Sequence, residues 1–191
     1  MYAFLLSFGV IFIAELGDKS QLMAMTLASR YKPWPILAGI TVATSATHAA
    51  SVLIGSVVGE SLSTDWITLI AGIAFTVFAA WTLRGDQLTS DDEAAVGRAR
   101  RSAFITAMTV FFIAELGDKT MLATITLASR EGIFGTWLGS TIGMVAADAL
   151  AIGVGVLLGR NLPERVIRFG ASALFMIFGA LLIIEAIAAL T

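Results

Sequence analysis

Two short motifs place acidic, basic and hydroxyl side chains in the middle of long apolar stretches of the sequence. The first motif is Glu15-Leu-Gly-Asp-Lys-Ser20 and the second is Glu115-Leu-Gly-Asp-Lys-Thr120. A charged side chain at the centre of a bilayer costs at least about 2.5–3.5 kcal/mol, so such groups normally face the protein interior. Carboxylates that converge there would form an oxygen-lined site, which suits hard divalent cations such as Ca²⁺, Mg²⁺ and Mn²⁺.

The four acids of the two motifs are the candidate metal ligands. On a continuous helix, Asp18 lies about 60° from Glu15 and Lys19 about 40° from it on the other side, so the three groups share one face. Gly17 points away from that face and weakens the helix, which would allow a kink or an unwound turn. Two copies that face each other across a helical bundle would bring the acids together near the membrane midplane. We therefore predict a metal site formed by Glu15, Asp18, Glu115 and Asp118.

A second set of polar residues is predicted to line the same cavity or to relay protons. The two motif lysines could neutralise the carboxylates when no cation is bound, and protonation of the acids would do the same. This alternation gives a route to cation/proton exchange. Asp148 and His48 are equivalent positions 100 residues apart, and a packing role for His48 is nearly as well supported. The set consists of Lys19, Ser20, Lys119, Thr120, His48 and Asp148, with Gln21 nearby.

Composition excludes most other classes of protein. Of the 191 residues, 58% are hydrophobic and 14% are charged, against about 45–50% and about 25% in soluble domains. A soluble enzyme, a secreted scaffold and a nucleic-acid binder are therefore excluded. The absence of cysteine removes disulfides, thiolate metal sites and cysteine nucleophiles, and with a single histidine it disfavours Zn²⁺ and Cu⁺. No nucleophile stands beside a base, so we do not expect an enzyme.

The fold class predicted is an all-α integral membrane protein with six transmembrane helices. Residues 11–30 and 111–130 are identical at 14 of 20 positions, so the chain contains two three-helix repeats, 1–84 and 102–191, joined by a charged cytoplasmic linker at 85–101. An odd number of spans per repeat implies inverted topology, as in many secondary transporters. The apolar runs are long enough for six transmembrane helices, each of which needs about 20 residues to cross a bilayer. The runs are 2–28, 35–58, 66–83, 102–129, 133–158 and 166–190.

The distribution of basic residues predicts how the chain is oriented. Nine of the 12 Lys and Arg residues fall in loops 1–2, 3–4 and 5–6, while Arg130 alone belongs to the other face. The positive-inside rule then places those loops in the cytoplasm and both termini outside, in a multi-pass protein of the plasma membrane. The pair Gly55 and Gly59, four residues apart, predicts a close helix-packing face.

The paired motifs Glu15–Ser20 and Glu115–Thr120 resemble the two E-x-G-D-[KR]-[ST] signatures of the Gdt-one family, which includes the Golgi transmembrane-protein-165-like antiporters. The resemblance covers essentially the whole chain, with six spans and a central charged loop. It implies transport of Mn²⁺ and Ca²⁺ in exchange for protons, with Mn²⁺ export in the small prokaryotic members. It also implies that the four motif acids bind the cation. The chain lacks the extended N-terminal region of the eukaryotic members, so Golgi roles are not carried over.

The leading prediction is a secondary transporter that exports Mn²⁺ in exchange for protons, with no permanently bound cofactor and with the lipid bilayer as its environment. The nearest alternative is Ca²⁺/H⁺ exchange through the same residues. An exporter of small organic solutes, in which the carboxylates serve only proton coupling, and a non-transporting membrane scaffold are the other candidates. A buried structural ion-pair network is disfavoured because each motif holds two acids for one lysine. The sequence leaves the oligomeric state open, a homo-oligomer included.

Overall fold

The structure is a computed structural model that describes residues 1–84, 102–158 and 164–190, and no side chain is described between residues 155 and 168. Every regular element in these ranges is a helix, and there are eight of them. The predicted linker at 85–101 lies outside the described residues. The helices are α1 (Tyr2–Glu15), α2 (Lys19–Ala28), α3 (Pro33–Ser61), α4 (Thr64–Arg84), α5 (Ala103–Glu115), α6 (Lys119–Ala128), α7 (Ile133–Leu158) and α8 (Glu164–Leu190).

Four helical segments are long and apolar enough to cross a membrane. They match the predicted second, third, fifth and sixth spans, and they are Pro33–Ser61, Thr64–Arg84, Ile133–Val154 and Phe169–Leu190. The predicted spans 2–28 and 102–129 are each divided into a short apolar helix and a second short helix, α1 with α2 and α5 with α6. The described part of the chain is therefore all-helical, and it belongs to a membrane protein with two interrupted apolar segments.

Both interruptions have the same backbone cause. Leu16 is extended, with ψ at 119°, and Gly17 then takes a φ of 77°, which ends the helical hydrogen-bond ladder. Gly117 repeats this conformation with a φ of 79°. Positive φ is readily available to glycine and costly for other residues. The unwound turn expected at Gly17 is thus confirmed, and Gly117 has the same turn.

Glycines let α7 pack closely along α1. A Cβ at Gly135 would lie 2.9 Å from the Cβ of Ala3, and a Cβ at Gly143 would lie 2.7 Å from the carbonyl oxygen of Phe8. Gly139 lies between these two positions and would meet the Phe4 carbonyl. Contacts advance along both helices together, so α7 and α1 run in the same direction.

The same arrangement holds between α3 and the interrupted segment α5–α6. A Cβ at Gly39 would lie 2.5 Å from the carbonyl oxygen of Phe104, whereas one at Gly55 would meet Ile125. At Gly59 the nearest atom would be the carbonyl oxygen of Ser129, at 2.6 Å. The packing role predicted for Gly55 and Gly59 is therefore confirmed, and α3 runs in the same direction as α5 and α6.

Helices α4 and α8 run in opposite directions around an aromatic core. Ser172 Oγ donates a hydrogen bond of 2.8 Å to the carbonyl oxygen of Ala79, while Gly179 lies against Gly72. The ring of Phe75 meets that of Phe178 edge-on, with centroids 4.9 Å apart. Phe75 belongs to the main hydrophobic core, and the partly buried Phe178 packs against it.

Several segments of the chain lie close together at one end of the bundle. Ala3 lies beside Gly135, and the end of α3 lies beside Ser129 at the turn that leads into α7. Arg130 Nη2 lies 3.4 Å from Glu185 Oε1, so the late part of α8 reaches the same place. We call this end the terminal face and define it by Met1, Gly59, Gly132 and Glu185.

Candidate metal centre

The four predicted metal ligands lie at the two helix interruptions. Glu15 and Glu115 are the last residues of α1 and α5, and Asp18 and Asp118 are the N-cap residues of α2 and α6. All four side chains are buried. The N-terminus of a helix favours negative charge because its backbone N–H groups are unpaired and its dipole is positive there. Each interruption therefore places one carboxylate where the backbone can support it.

Two ion pairs link the two motifs across the bundle. Lys119 Nζ lies 2.5 Å from Asp18 Oδ1, and Lys19 Nζ lies 3.6 Å from Asp118 Oδ1. Each lysine thus reaches the aspartate of the other copy. The two pairs differ, because the Lys119 side chain is 4% exposed and that of Lys19 is 24% exposed.

The prediction that Glu15, Asp18 and Lys19 share one face of a continuous helix is wrong. Gly17 redirects the chain between Glu15 and Asp18, so the angular relation of an unbroken helix no longer applies. The contacts between the copies depend on this change of direction. They were predicted only as a general convergence of the two motifs.

Hydroxyl groups in the first turn of α2 and of α6 bind the two glutamates. Ser20 Oγ donates a hydrogen bond to Glu15 Oε1, and Thr120 Oγ1 donates one of 2.8 Å to Glu115 Oε2. The second oxygen of each glutamate is buried and has no hydrogen-bond partner in the described part of the chain. A buried charged oxygen without a partner is costly. A bound cation or proton would relieve that cost.

The acidic groups lie within electrostatic range of one another. Glu15 interacts with Glu115, Asp18 and Asp148, and Glu115 interacts with both aspartates of the motifs. Within the described ranges, however, no three His, Asp or Glu side chains are arranged so that they could hold one ion. The predicted ligands therefore gather in one region without forming a complete coordination shell in this conformation.

Asp148 and His48 occupy different surroundings despite their equivalent positions. Asp148 in α7 is fully buried, interacts electrostatically with Glu15 and Glu115, and has no hydrogen-bond partner for either oxygen among the described residues. His48 in α3 is also buried, and its Nδ1 lies 3.4 Å from Thr141 Oγ1 in α7. Asp148 therefore joins the acidic region, whereas the contact found for His48 links two helices.

Gln21 has a structural role that the sequence did not indicate. Its Oε1 accepts a hydrogen bond of 2.9 Å from the Gly17 N–H, and its Nε2 donates one of 3.0 Å to the carbonyl oxygen of Ala147. It therefore fixes the first interruption against α7. At the second interruption the corresponding group is Met121, whose Sδ lies 3.3 Å from the Gly117 nitrogen.

Several buried hydroxyls in α1, α3 and α7 were also missed. Four of them have no hydrogen-bond partner within the described ranges, and they are Ser7, Thr44, Thr136 and Ser140. A buried hydroxyl without a partner costs about 1–3 kcal/mol. Comparison of the two repeats position by position would have singled them out, because the equivalent residues are all apolar.

Comparison with known proteins agrees with the sequence resemblance. The family model described as "Divalent cation/proton antiporter GDT1" matches residues 3–90 and again residues 103–190. No solved structure matches the chain.

Relatives from bacteria and plants match most of the chain. A protein of Vibrio cholerae named "Putative manganese exporter" is 35% identical over 90% of this chain and 86% of its own length. A GDT1-like protein of Synechocystis is 27% identical, over 88% of this chain and 90% of its own length. The chloroplastic PAM71-homolog of Arabidopsis thaliana is 28% identical, and the match spans only 58% of its length. The chain belongs to the divalent cation/proton antiporter GDT1 family.

Proposed function

We propose that this chain exports Mn²⁺ across the plasma membrane in exchange for protons, and that Glu15, Asp18, Glu115 and Asp118 bind the cation. As a member of an antiporter family, the chain is a transporter rather than an enzyme. The observation that carries the proposed site is the pair of buried glutamates that each keep one oxygen without a hydrogen-bond partner in the described part of the chain. Carboxylate oxygens are suitable ligands for Mn²⁺. The name of the Vibrio cholerae relative supports this choice of ion.

The architecture proposed for this function is two inverted three-helix repeats, 1–84 and 102–191, with six spans. Two of the spans would be the interrupted segments α1–α2 and α5–α6. Parallel packing of α1 with α7 and of α3 with α5 and α6, and antiparallel packing of α4 with α8, are compatible with that topology. Interrupted helices at the centre of a repeat interface form the ion sites of several transporter folds.

The exchange would work by competition for the same oxygens. A divalent cation would displace Lys119 from Asp18 and Lys19 from Asp118 and use the freed carboxylate oxygens together with those of the glutamates. After release, protons and the two lysines would again balance the acids. Ser20 and Thr120 would orient the glutamates, and Asp148 would add an acid for proton transfer. His48 would connect α3 with α7 through Thr141.

Ca²⁺/H⁺ exchange through the same residues is the second candidate, because Ca²⁺ also takes oxygen ligands and the site contains no residue that excludes it. A flux assay in which the two ions compete would separate the candidates. If only small organic solutes were carried, transport would proceed without any divalent cation.

The decisive experiment measures Mn²⁺ flux into liposomes that contain the purified protein, with and without a proton gradient. We expect flux to depend on the gradient and to be lost in Glu15→Gln and in Glu115→Gln. Glu60→Gln is the matched control, because Glu60 is exposed at the end of α3. If Glu15→Gln carries Mn²⁺ as fast as the unmodified protein, the site is assigned wrongly.

A further inference from the structure

A row of buried hydroxyls leads from the acidic region towards the terminal face. Three belong to α3, two to α7 and one to α1, and all six are at most 1% exposed. We call them the hydroxyl row, which consists of Ser7, Thr44, Thr47, Ser51, Thr136 and Ser140. The two helices that carry five of these six hydroxyls are in contact, because Trp137 Nε1 in α7 donates a 3.0 Å hydrogen bond to the carbonyl oxygen of Ser45 in α3.

The position of the row along the membrane axis follows from the glycine contacts. Gly139, next to Ser140, lies against the backbone of Phe4 and Phe8, so Ser140 and Ser7 lie at about the same level, and Thr136 lies one turn nearer the terminal face. That level is on the terminal-face side of Glu15, which ends α1. In α3 the row runs from the middle of the helix towards Gly55, which contacts α6 beyond the second motif.

Each hydroxyl of the row has an apolar residue at the equivalent position of the other repeat. Ser7 corresponds to Ala107, and the remaining equivalent residues are Met144, Ala147, Ala151, Ile36 and Ile40. All six of these apolar residues are buried as well. Ile36, Ile40 and Ala107 lie where Gly39 meets Phe104, away from the terminal face, so the equivalents of Thr136, Ser140 and Ser7 place apolar side chains there.

The oxygens of the row remain available to a ligand. Thr47 and Ser51 donate hydrogen bonds to carbonyl oxygens of their own helix, as hydroxyls in helices often do. Their oxygens can still accept a hydrogen bond or bind a cation. The other four hydroxyls have no hydrogen-bond partner within the described ranges. Helix packing alone does not require such groups, as the apolar residues of the other repeat demonstrate.

We propose that the hydroxyl row is the half-pathway through which a hydrated divalent cation passes between the motif carboxylates and the terminal face. This inference rests on the proposed function, because it assumes that a cation occupies the motif site. Neutral hydroxyls replace water molecules around the ion without binding it as firmly as carboxylates do. The row therefore provides a passage and not a second high-affinity site. All six groups are buried in this conformation, so the passage opens only when α1, α3 and α7 shift relative to one another.

The first test uses cysteine accessibility, for which the natural absence of cysteine is an advantage. Ser140→Cys, Thr68→Cys and Gly132→Cys are each treated with a membrane-impermeant cationic methanethiosulfonate, and modification is read by mass. Gly132 is exposed at the terminal face, so its variant shows from which side the reagent must be added. Thr68 is the matched control, because it is buried in α4 outside the row. We expect modification of Ser140→Cys from the Gly132 side, slowed by Mn²⁺, and none of Thr68→Cys.

The second test measures transport in a variant of unchanged shape. We expect Thr44→Val combined with Ser140→Ala to slow Mn²⁺ flux at least about tenfold, because the loss of one polar contact alone accounts for about that factor. Thr82→Val is the control, because Thr82 is another buried hydroxyl without a hydrogen-bond partner among the described residues and lies outside the row. Its flux should not change.

The outcomes separate the two proposals. If the unmodified protein carries no Mn²⁺, the proposed function fails. The cysteine modification of Ser140→Cys then still tests whether the hydroxyl row is a passage. The row is wrong if Ser140→Cys and Thr68→Cys react equally, or if Ser140→Cys stays unmodified while Gly132→Cys reacts. It is also wrong if the Thr44→Val, Ser140→Ala protein transports Mn²⁺ at the unmodified rate.

Discussion

Each buried glutamate at the interruptions accepts a hydrogen bond from a hydroxyl of the helix that follows. Thr120→Val removes the 2.8 Å hydrogen bond to Glu115 and keeps the shape of the side chain. Because a hydrogen bond to a charged group is worth about 1.5–3 kcal/mol, we expect the apparent affinity for Mn²⁺ to fall about tenfold or more. The concentration dependence of initial flux in liposomes measures this change.

Two further variants show whether the hydroxyl itself matters. Thr120→Ser keeps the donor and should retain most of the affinity. Thr124→Val, which removes an equally buried hydroxyl that donates to the Thr120 carbonyl, should transport normally. Equal losses in Thr120→Val and Thr124→Val would mean that packing, and not the hydrogen bond to Glu115, sets the affinity.

The two crossed ion pairs should contribute unequally to stability. Removal of one partner from a buried ion pair costs about 3–5 kcal/mol, because the other charge stays buried without compensation. The pair of Lys119 with Asp18 is buried on both sides, whereas the Lys19 side chain is 24% exposed. We therefore expect Lys119→Met to lower the thermal unfolding midpoint in detergent more than Lys19→Met does.

A double variant tests the cause of that loss. Asp18→Asn in the Lys119→Met background removes the charge that was left behind and should recover part of the midpoint. If the double variant unfolds at the same or a lower temperature than Lys119→Met, the ion pair is not the cause of the loss.

The interruptions are the elements on which the site depends, and their glycines should be hard to replace. A Cβ at Gly117 would meet no atom within 4 Å, so the cost of Gly117→Ala comes from its φ of 79° alone. We expect a loss of about 1–2 kcal/mol in the free energy of unfolding, together with slower Mn²⁺ flux as Asp118 moves. Chemical unfolding in micelles measures the first quantity and liposome flux the second.

Gly9→Ala is the matched control for this substitution. Gly9 also has open space around its Cβ position, but it lies inside the regular helix α1. Replacement of a helical glycine by alanine stabilises by about 0.5–1 kcal/mol. If both alanine variants lose the same stability, the positive φ of Gly117 does not explain its loss.

These elements are predictable from the sequence where the physical cause is local. The break at Gly17 and the packing of Gly55 and Gly59 follow from properties of glycine itself. The crossed pairing of Lys119 with Asp18 could not be predicted, because it depends on how far the interruption turns the chain. The hydroxyl row was missed for a related reason: its members belong to three helices that meet only in the tertiary structure.

The two repeats are units of sequence that interlock in the folded molecule. Helix α1 packs along α7, α3 along α5 and α6, and α4 along α8, so the main contacts join one repeat to the other. The aromatic contact between Phe75 and Phe178 joins the repeats in the same way. Neither half buries its apolar surface by itself, and relative movement of the halves must therefore occur within one shared core.

The proposed orientation of the whole molecule is open to a direct test with Gly132→Cys and Lys32→Cys. Both residues are exposed, Gly132 at the terminal face and Lys32 in the turn before α3. With inverted repeats and most basic residues in the cytoplasm, an impermeant thiol reagent added to intact cells should modify Gly132→Cys and leave Lys32→Cys untouched. In inside-out vesicles the pattern should reverse. Modification of both cysteines from one side would contradict the six-span topology, and the opposite pattern would contradict only its orientation.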